Sequence, residues 1–182
     1  MGKVTTVKKS RKIHTCSKCG ATIEVGSTYY VGKINFHPDI VRCTKCGLKP
    51  WEVTTSDYLL QAGRLVNEFD SEYNMSAAGV DDIVSELEEM LSELQDKLDS
   101  MPDSLKDSDT GTVLQERIDG IDSALSDLSN ISEDDVKEEV LSSLGREETV
   151  EEADWEKDEE LVNELSEHYT SLVEEALSQV VL

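Results

Sequence analysis

Long apolar runs and recognisable catalytic motifs are the most informative absences from this sequence of 182 residues. No run approaches the roughly 18 apolar residues that a membrane-spanning helix requires. The basic N-terminus also lacks the apolar stretch of a secretory signal. The sequence contains no combination of Ser, His and Cys that is typical of a catalytic site, no Gly-rich phosphate loop and no cluster of His and Asp ligands. These absences predict a cytoplasmic protein that is not an enzyme.

Cysteine is scarce, and all four cysteines lie in two matching pentapeptides. The stretch CSKCG covers residues 16–20, and CTKCG covers residues 43–47. Two close pairs are typical of metal ligands in a reducing compartment rather than of a disulfide framework. A dithiol redox motif is disfavoured because neither pair lies within a βαβ pattern.

The spacing within and between these pairs predicts a closed tetrahedral site for Zn²⁺. The predicted ligands are Cys16, Cys19, Cys43 and Cys46. A gap of two residues allows both sulfurs of a pair to bind one ion, and the glycine after each second cysteine permits the sharp turn that follows. Four thiolates leave no position for water or substrate, so the zinc would be structural. Iron in a rubredoxin-like site is the alternative metal, and His14 or His37 lies close enough along the chain to replace one sulfur.

The cysteine-containing region resembles known small zinc modules. The stretch CSKCGATIEVGSTYYVGK, followed by FHPDIVRCTKCG, is similar to treble-clef and zinc-ribbon modules over residues 13–50. Its opening, CxxCxxxIxxGxxY, resembles the zinc fingers of the poly(ADP-ribose) polymerase type, although those close with a His and a Cys after a longer loop. Modules with this opening are also common among bacteriophage-encoded proteins. The resemblance implies metal ligation by the four cysteines, contact with nucleic acid and a phage origin.

Charge is distributed very unevenly along the chain. Residues 1–55 carry ten of the 17 basic side chains and three of the 40 acidic ones, a formal charge of +7. Residues 56–182 carry the other seven basic and 37 acidic side chains, a formal charge of −30. Such asymmetry predicts two modules with different partners.

The first third of the chain is predicted to consist of a tail, a small module and a helix. Residues 1–12 are polar and basic without periodicity, which indicates a flexible tail. Residues 13–54 form the β-containing zinc module, in which Tyr30, Ile34 and Phe36 alternate on one side of a strand or hairpin. A connecting helix follows within residues 55–75.

The acidic remainder is predicted to be all-α, with a coiled-coil-like helical hairpin over residues 76–131 and two further helices within residues 132–182. The seam of the first hairpin helix comprises Val80, Val84, Leu87, Leu91, Leu94, Leu98 and Met101, widened by Ile83 and Met90. The seam of the second comprises Leu114, Ile118, Ile121, Leu125 and Leu128. The later helices run from about 132 to 144 and from about 150 to 181. The wide apolar faces of the last helix and of the first hairpin helix favour a bundle or an oligomer.

Basic and aromatic side chains of the front module are candidates for contact with nucleic acid or a protein partner. The cationic candidates are Lys8, Lys9, Arg11, Lys12, Lys18, Lys33, Arg42, Lys45 and Lys49. The aromatic candidates for stacking are Tyr29, Tyr30, Phe36 and Trp51. The alternative interpretation is that the lysines keep a small domain soluble while the aromatic rings form its core. The basic front could also dock on the chain's own acidic helices.

The acidic helices are expected to bind a basic surface, because a module of charge −30 repels itself. The candidate face comprises Glu86, Glu88, Glu89, Asp103, Asp107 and Asp109. The favoured hypothesis is an adaptor or regulator with a zinc module and a partner-binding acidic arm. The second hypothesis is an inhibitor that mimics nucleic acid in the groove of a host enzyme, such as a nuclease or an RNA polymerase. The third is an oligomeric assembly or scaffold protein.

Overall fold

The computed structural model describes residues 3–182. The chain divides into two compact units between Arg64 and Leu65. The front unit contains the strands and the cysteines, and the second unit is helical. The structure therefore has a β-containing module followed by an all-α region.

The front unit is built from five short strands. Strands β1 (Val4–Val7), β4 (Tyr29–Gly32) and β5 (Ile40–Cys43) form an antiparallel sheet in the order β1-β4-β5. Strands β2 (His14–Thr15) and β3 (Thr22–Ile23) form a separate antiparallel pair. A 3₁₀ turn at residues 50–52 leads to helix α1 (Asp57–Glu72), whose first half completes this unit.

The start of the chain differs from the expected flexible tail. Residues 4–7 pair with β4 along their whole length, with Val4 opposite Gly32 and Val7 opposite Tyr29. Val4 and Val7 are both half-buried, so this strand gains packing as well as backbone hydrogen bonds. Residues 1 and 2 of the predicted tail lie outside the described part of the chain. From residue 4 onwards the predicted tail is part of the sheet and of the loop that follows it.

The predicted alternation of Tyr30, Ile34 and Phe36 on one side is wrong, because β4 ends at Gly32, whereas the hairpin predicted as the alternative to a single strand is formed by β4 and β5. Phe36 has a positive φ of 64° and a fully exposed side chain. The chain turns at residues 35–37 to return as β5. The last residue of β4 must be a glycine, because a Cβ on Gly32 would lie 2.5 Å from the Val53 side chain.

The second unit is a bundle of helices. Its helices are α2 (Ala77–Asp99), the short α3 (Asp103–Lys106), α4 (Asp109–Ser129), α5 (Glu133–Ser143) and α6 (Glu159–Leu177). Helices α2 and α4 pack along each other as the predicted hairpin, and α6 packs on both of them as well as on α5. Serine side chains at 76, 108 and 132 accept backbone N–H bonds at the starts of α2, α4 and α5. The predicted limits of α5 are confirmed to within one residue.

The buried faces of the two hairpin helices are wider than the seam of a two-stranded coiled coil. In α2 the side chains of Ile83 and Met90 are buried, whereas Val84 and Leu91 are half-buried. In α4 the buried residues include Ala124 beside the predicted Leu128. The third helix, α6, explains the broadening, because a helix with two neighbours must bury a wider face than a helix with one.

The last helix is shorter than its apolar pattern predicts, because it begins at Glu159 and not near 150. Asp158 caps it by accepting hydrogen bonds from the backbone N–H groups of Glu160 and Leu161 at 3.1 and 3.4 Å. The preceding residues form turns, in which the Trp155 indole N–H donates to the Val150 carbonyl at 2.9 Å. Val150 and Trp155 pack on a cluster of buried side chains, so these apolar residues anchor a loop and do not extend the helix.

Tyr169 places a polar hydroxyl in the bundle core. Its side chain is 1% exposed, and its hydroxyl has no hydrogen-bond partner among the described residues. Burial, followed by the negative charges of Glu133 and Asp81, raises the pKa of this hydroxyl. A buried hydroxyl without a partner lowers stability by about 1–3 kcal/mol relative to an apolar group of the same shape.

We therefore expect Tyr169→Phe to leave the free energy of unfolding unchanged or to raise it by up to about 2 kcal/mol. Leu161→Ala, at a fully buried position in the same helix, is the matched control and should lower it by about 2–5 kcal/mol. Urea unfolding followed by circular dichroism at 222 nm measures both changes. A loss of more than about 1 kcal/mol in the phenylalanine variant would show that the hydroxyl has a partner.

Candidate metal centre and basic cleft

The four cysteines lie on two turns that close with the same backbone hydrogen bond. The first turn follows β2, and the second begins at the last residue of β5. Gly20 donates its N–H to the Cys16 carbonyl at 2.9 Å, and Gly47 donates to the Cys43 carbonyl at 3.1 Å. Both glycines have positive φ, 71° and 62°, a conformation that favours glycine. The repeated pentapeptide therefore encodes a repeated turn.

The two turns bring their sulfurs together. The sulfur atoms of Cys16, Cys19, Cys43 and Cys46 all lie within 4.8 Å of one another. The sulfurs of Cys19 and Cys43 are 3.8 Å apart. A tetrahedral ion with Zn–S bonds of about 2.3 Å requires sulfur separations of about 3.8 Å. The donor set and its spacing fit a four-coordinate metal ion such as Zn²⁺.

Hydrogen bonds within the cluster lower the pKa of some thiols and raise the pKa of another. The backbone N–H of Cys43 points at the Cys16 sulfur at 3.4 Å. Backbone N–H groups, first that of Cys19 and then that of Cys43, lower the pKa of Cys16 to about 5. The backbone N–H of Cys46 lowers the pKa of Cys43. The Cys46 thiol forms hydrogen bonds with the sulfurs of Cys19 and Cys43, and these bonds raise the pKa of Cys46 to about 12. A bound cation stabilises the fourth thiolate that these neighbours disfavour.

Ser17 joins the two halves of the centre, and no pattern in the sequence signals it. Its backbone N–H and its hydroxyl both donate to the Val41 carbonyl, at 2.8 and 2.6 Å. The Val41 N–H in turn points at the Ser17 hydroxyl oxygen at 3.1 Å. The first turn is thus attached to β5 two residues before Cys43. A pairing between residues 24 positions apart becomes visible only in the folded chain.

His14 and His37 are not among the clustered ligands in the described residues 3–182. The His14 ring instead packs on the Tyr29 ring, with centroids 4.7 Å apart and planes tilted by 35°. His37 lies in the exposed loop between β4 and β5. The cysteines alone therefore supply the donor set.

A basic cleft lies beside this ring pair. It has a volume of about 610 Å³. The lining residues are Val7, Lys8, Lys9, Arg11, Lys12, His14 and Tyr29. The cleft brings together four of the predicted cationic residues and one of the predicted aromatic residues.

The loop that carries these cations is anchored through Ser10, which is 3% exposed. Its backbone N–H donates to the Ser27 carbonyl at 2.9 Å, and its carbonyl accepts from Gly26 at 2.8 Å. Its hydroxyl donates to the Lys12 carbonyl, and the Thr28 hydroxyl donates to the Lys8 carbonyl at 3.0 Å. These hydrogen bonds fix the backbone of the loop that carries the cationic side chains.

The other basic candidates lie outside the cleft. Those with exposed side chains are Lys18, Lys33, Lys45 and Lys49. Arg42 forms an ion pair with Glu52 at 3.7 Å, with both side chains about 15% exposed. The Trp51 ring packs against Gly63, where an added Cβ would lie 2.6 Å from the Trp51 Cβ. Arg42 and Trp51 therefore have structural contacts within the front unit. Tyr30 is half-buried in β4, and Phe36 is exposed in the following loop.

The acidic candidates form two separate groups rather than one face. Glu88 and Glu89 are exposed in the middle of α2, and Glu86 accepts a hydrogen bond from the Tyr73 hydroxyl. The second group lies in the turn between α2 and α4, and it comprises Asp103, Asp107 and Asp109, all exposed. Ten helical residues separate Glu89 from the end of α2, a distance of about 15 Å.

Comparison with protein-family models, with curated proteins and with known structures gave no match to this chain. Within the described residues 3–182, each helix is too short or too polar to traverse a bilayer. The interpretation of the chain therefore depends on its own residues.

Proposed function

We propose that this protein is a non-enzymatic, zinc-binding adaptor whose front unit binds nucleic acid and whose acidic helices bind a basic protein. The observation that carries the first part is the convergence of four cationic side chains on one cleft beside an aromatic ring pair. Zinc has a structural role in this proposal, because four thiolates leave it no open position for chemistry.

Phosphate is the group that best suits the cleft. Lys and Arg side chains neutralise phosphates and release the cations condensed around a nucleic acid, which is favourable at low salt. Lys8, Lys9, Arg11 and Lys12 are exposed, and the described ion pairs involve none of them. An acidic protein would satisfy the charges equally well, but it would leave the ring pair without a specific role.

The helical unit supports the second part of the proposal through its charge. Residues 65–181 carry 36 acidic and six basic side chains. Of the basic ones, Arg146 already bonds to Glu148, Asp158 and Glu160 at 2.7–2.9 Å. Contact with a cationic surface would relieve the repulsion among the remaining carboxylates.

An inhibitor that mimics nucleic acid is the second candidate. The exposure of Asp103, Asp107 and Asp109 at one end of the hairpin favours it, because a projecting turn with several carboxylates can enter a basic groove. In this case the full chain would compete with DNA or RNA for a basic enzyme. Neutralising these three aspartates to asparagine would weaken the competition.

The test of nucleic-acid binding compares two variants of equal charge. In the cleft variant Lys8, Lys9, Arg11 and Lys12 become glutamine, and in the control variant Lys18, Lys33, Lys45 and Lys49 do. We expect the cleft variant to lose most of its affinity for a labelled oligonucleotide in about 50 mM salt, where the phosphate contribution is strong. The control should lose much less, and fluorescence anisotropy with the full zinc-loaded chain measures both.

Equal losses in the two variants would show that binding follows net charge and not the cleft. Absence of binding by the unmodified chain at this salt concentration would overturn the proposal for the front unit. Metal content and far-ultraviolet circular dichroism establish that each variant is folded.

A further inference from the structure

We propose that the basic cleft binds single-stranded nucleic acid, with one unstacked base lying on the His14–Tyr29 ring pair. The inference rests on the proposed function of the front unit and specifies its ligand. It follows from the position of the rings within the cleft, from the anchoring of the cationic loop and from the chemistry of exposed bases.

The rings and the cations line the same space. The cleft is an open groove with a volume of about 610 Å³, so an extended strand can enter and leave it. A nucleotide brings a phosphate for the cations and a flat base for the rings. Both rings are half-buried, so each retains an accessible part of its surface.

A single strand can present a base face to these rings, and a duplex cannot without disruption. In a double helix each base face is covered by its neighbours, so proteins read the edges in the grooves. In a single strand the faces are free, and stacking on an aromatic side chain contributes about 1–3 kcal/mol per base. The ring pair therefore discriminates in favour of unpaired nucleotides.

The cleft is organised before any ligand binds. Ser10 and Thr28 hold the loop that carries the cations through four hydrogen bonds. On the opposite side, Tyr29 lies on β4 directly across from Cys43 of the metal centre. His14 lies two residues before Cys16. The metal centre and the loop anchor thus fix the rings and the cations relative to one another, which reduces the entropy lost on binding.

The experiment measures the affinity of the full zinc-loaded chain for a thymidine oligonucleotide of about 12 nucleotides, a length within the usual range of single-strand sites. The comparison ligand is the same oligonucleotide paired with its adenosine complement. We expect tighter binding of the single strand at about 50 mM salt. His14→Ala and Tyr29→Leu should each weaken single-strand binding by about 5- to 150-fold and change duplex binding much less.

Tyr29→Phe is the matched control, because it retains the ring and should retain single-strand affinity. Metal content and circular dichroism verify the fold, and His14→Ala supplies the result if Tyr29→Leu fails to fold. Equal or tighter duplex binding that still depends on the four cleft cations would overturn this inference and leave the proposed function intact. Ring variants that bind the single strand as tightly as the unmodified chain would also overturn it. Failure to bind either ligand would overturn both proposals.

Discussion

Removal of the metal from the full chain is expected to unfold the front unit and to leave the helices of residues 65–181 folded. The strands of the front unit have only two to four residues each. Its buried apolar side chains are few, among them Ile23, Leu48 and Val53. A core of this size cannot offset the conformational entropy of some sixty residues. Structural zinc contributes about 10–16 kcal/mol in small modules, which is comparable to the whole stability of a typical domain.

The two tryptophans allow each unit to be followed separately. Trp51 lies in the front unit and Trp155 in the helical unit. With Trp155→Phe, fluorescence reports on the front unit, and with Trp51→Phe it reports on the helices. We expect a chelator to shift the emission of Trp51 to longer wavelength and to leave that of Trp155 unchanged.

Cys16→Ser should reproduce the effect of the chelator, because it removes the most buried ligand. Thr44→Ser is the control, since residue 44 lies within the second turn and supplies no ligand. Loss of helicity on metal removal would show that the two units fold as one. The hypothesis that the basic front docks on the acidic helices would then gain support. A front unit that stays folded without metal would contradict the structural role of the centre.

Salt is expected to weaken nucleic-acid binding by the front unit and to stabilise the fold of the helical unit. For a single strand the logarithm of affinity falls with the logarithm of salt concentration by about 0.7 per neutralised phosphate. Four cleft cations predict a slope of about −2.8, so affinity should fall about 50-fold between about 50 mM and about 200 mM salt. The cleft variant should abolish most of this slope, and the control variant of equal charge should retain it.

The helical unit should become more stable when salt is added. Like charges at helical spacing each cost about 0.2–0.5 kcal/mol, and the unit carries 36 acidic against six basic side chains. The screening length shortens from about 10 Å at 0.1 M to about 3 Å at 1 M salt, which weakens this repulsion. We expect the free energy of unfolding of residues 65–181 to rise by about 1–2 kcal/mol over that range.

Unfolding of the helical unit is measured by urea titration of the Trp51→Phe chain, and binding by anisotropy. Affinity that is independent of salt would contradict phosphate contact in the cleft. A helical unit whose stability falls as salt is added would show that favourable ion pairs, such as those of Arg146, outweigh the repulsion.

The sequence by itself determined which cysteines cluster, the charge division and most of the helices. A Cys-x-x-Cys-Gly turn is a local structure, so its two copies could be recognised without knowledge of the fold. The limits of α5 were equally local, because Ser132 caps the helix and Gly145 follows it in a left-handed conformation. Charge depends on composition alone.

Tertiary structure decided the formation of the cleft, the length of the last helix and which side chains of the hairpin are buried. Residues 4–12 have no periodic pattern, and they acquire structure only by pairing with β4 and by the bonds of Ser10 to residues 26 and 27. Likewise, Val150, Ala153 and Trp155 pack on buried side chains of α5 and α6 instead of extending a helix. In each case the deciding contact is made between different elements of the folded chain, and the free energy of such a contact is not recorded in any local pattern.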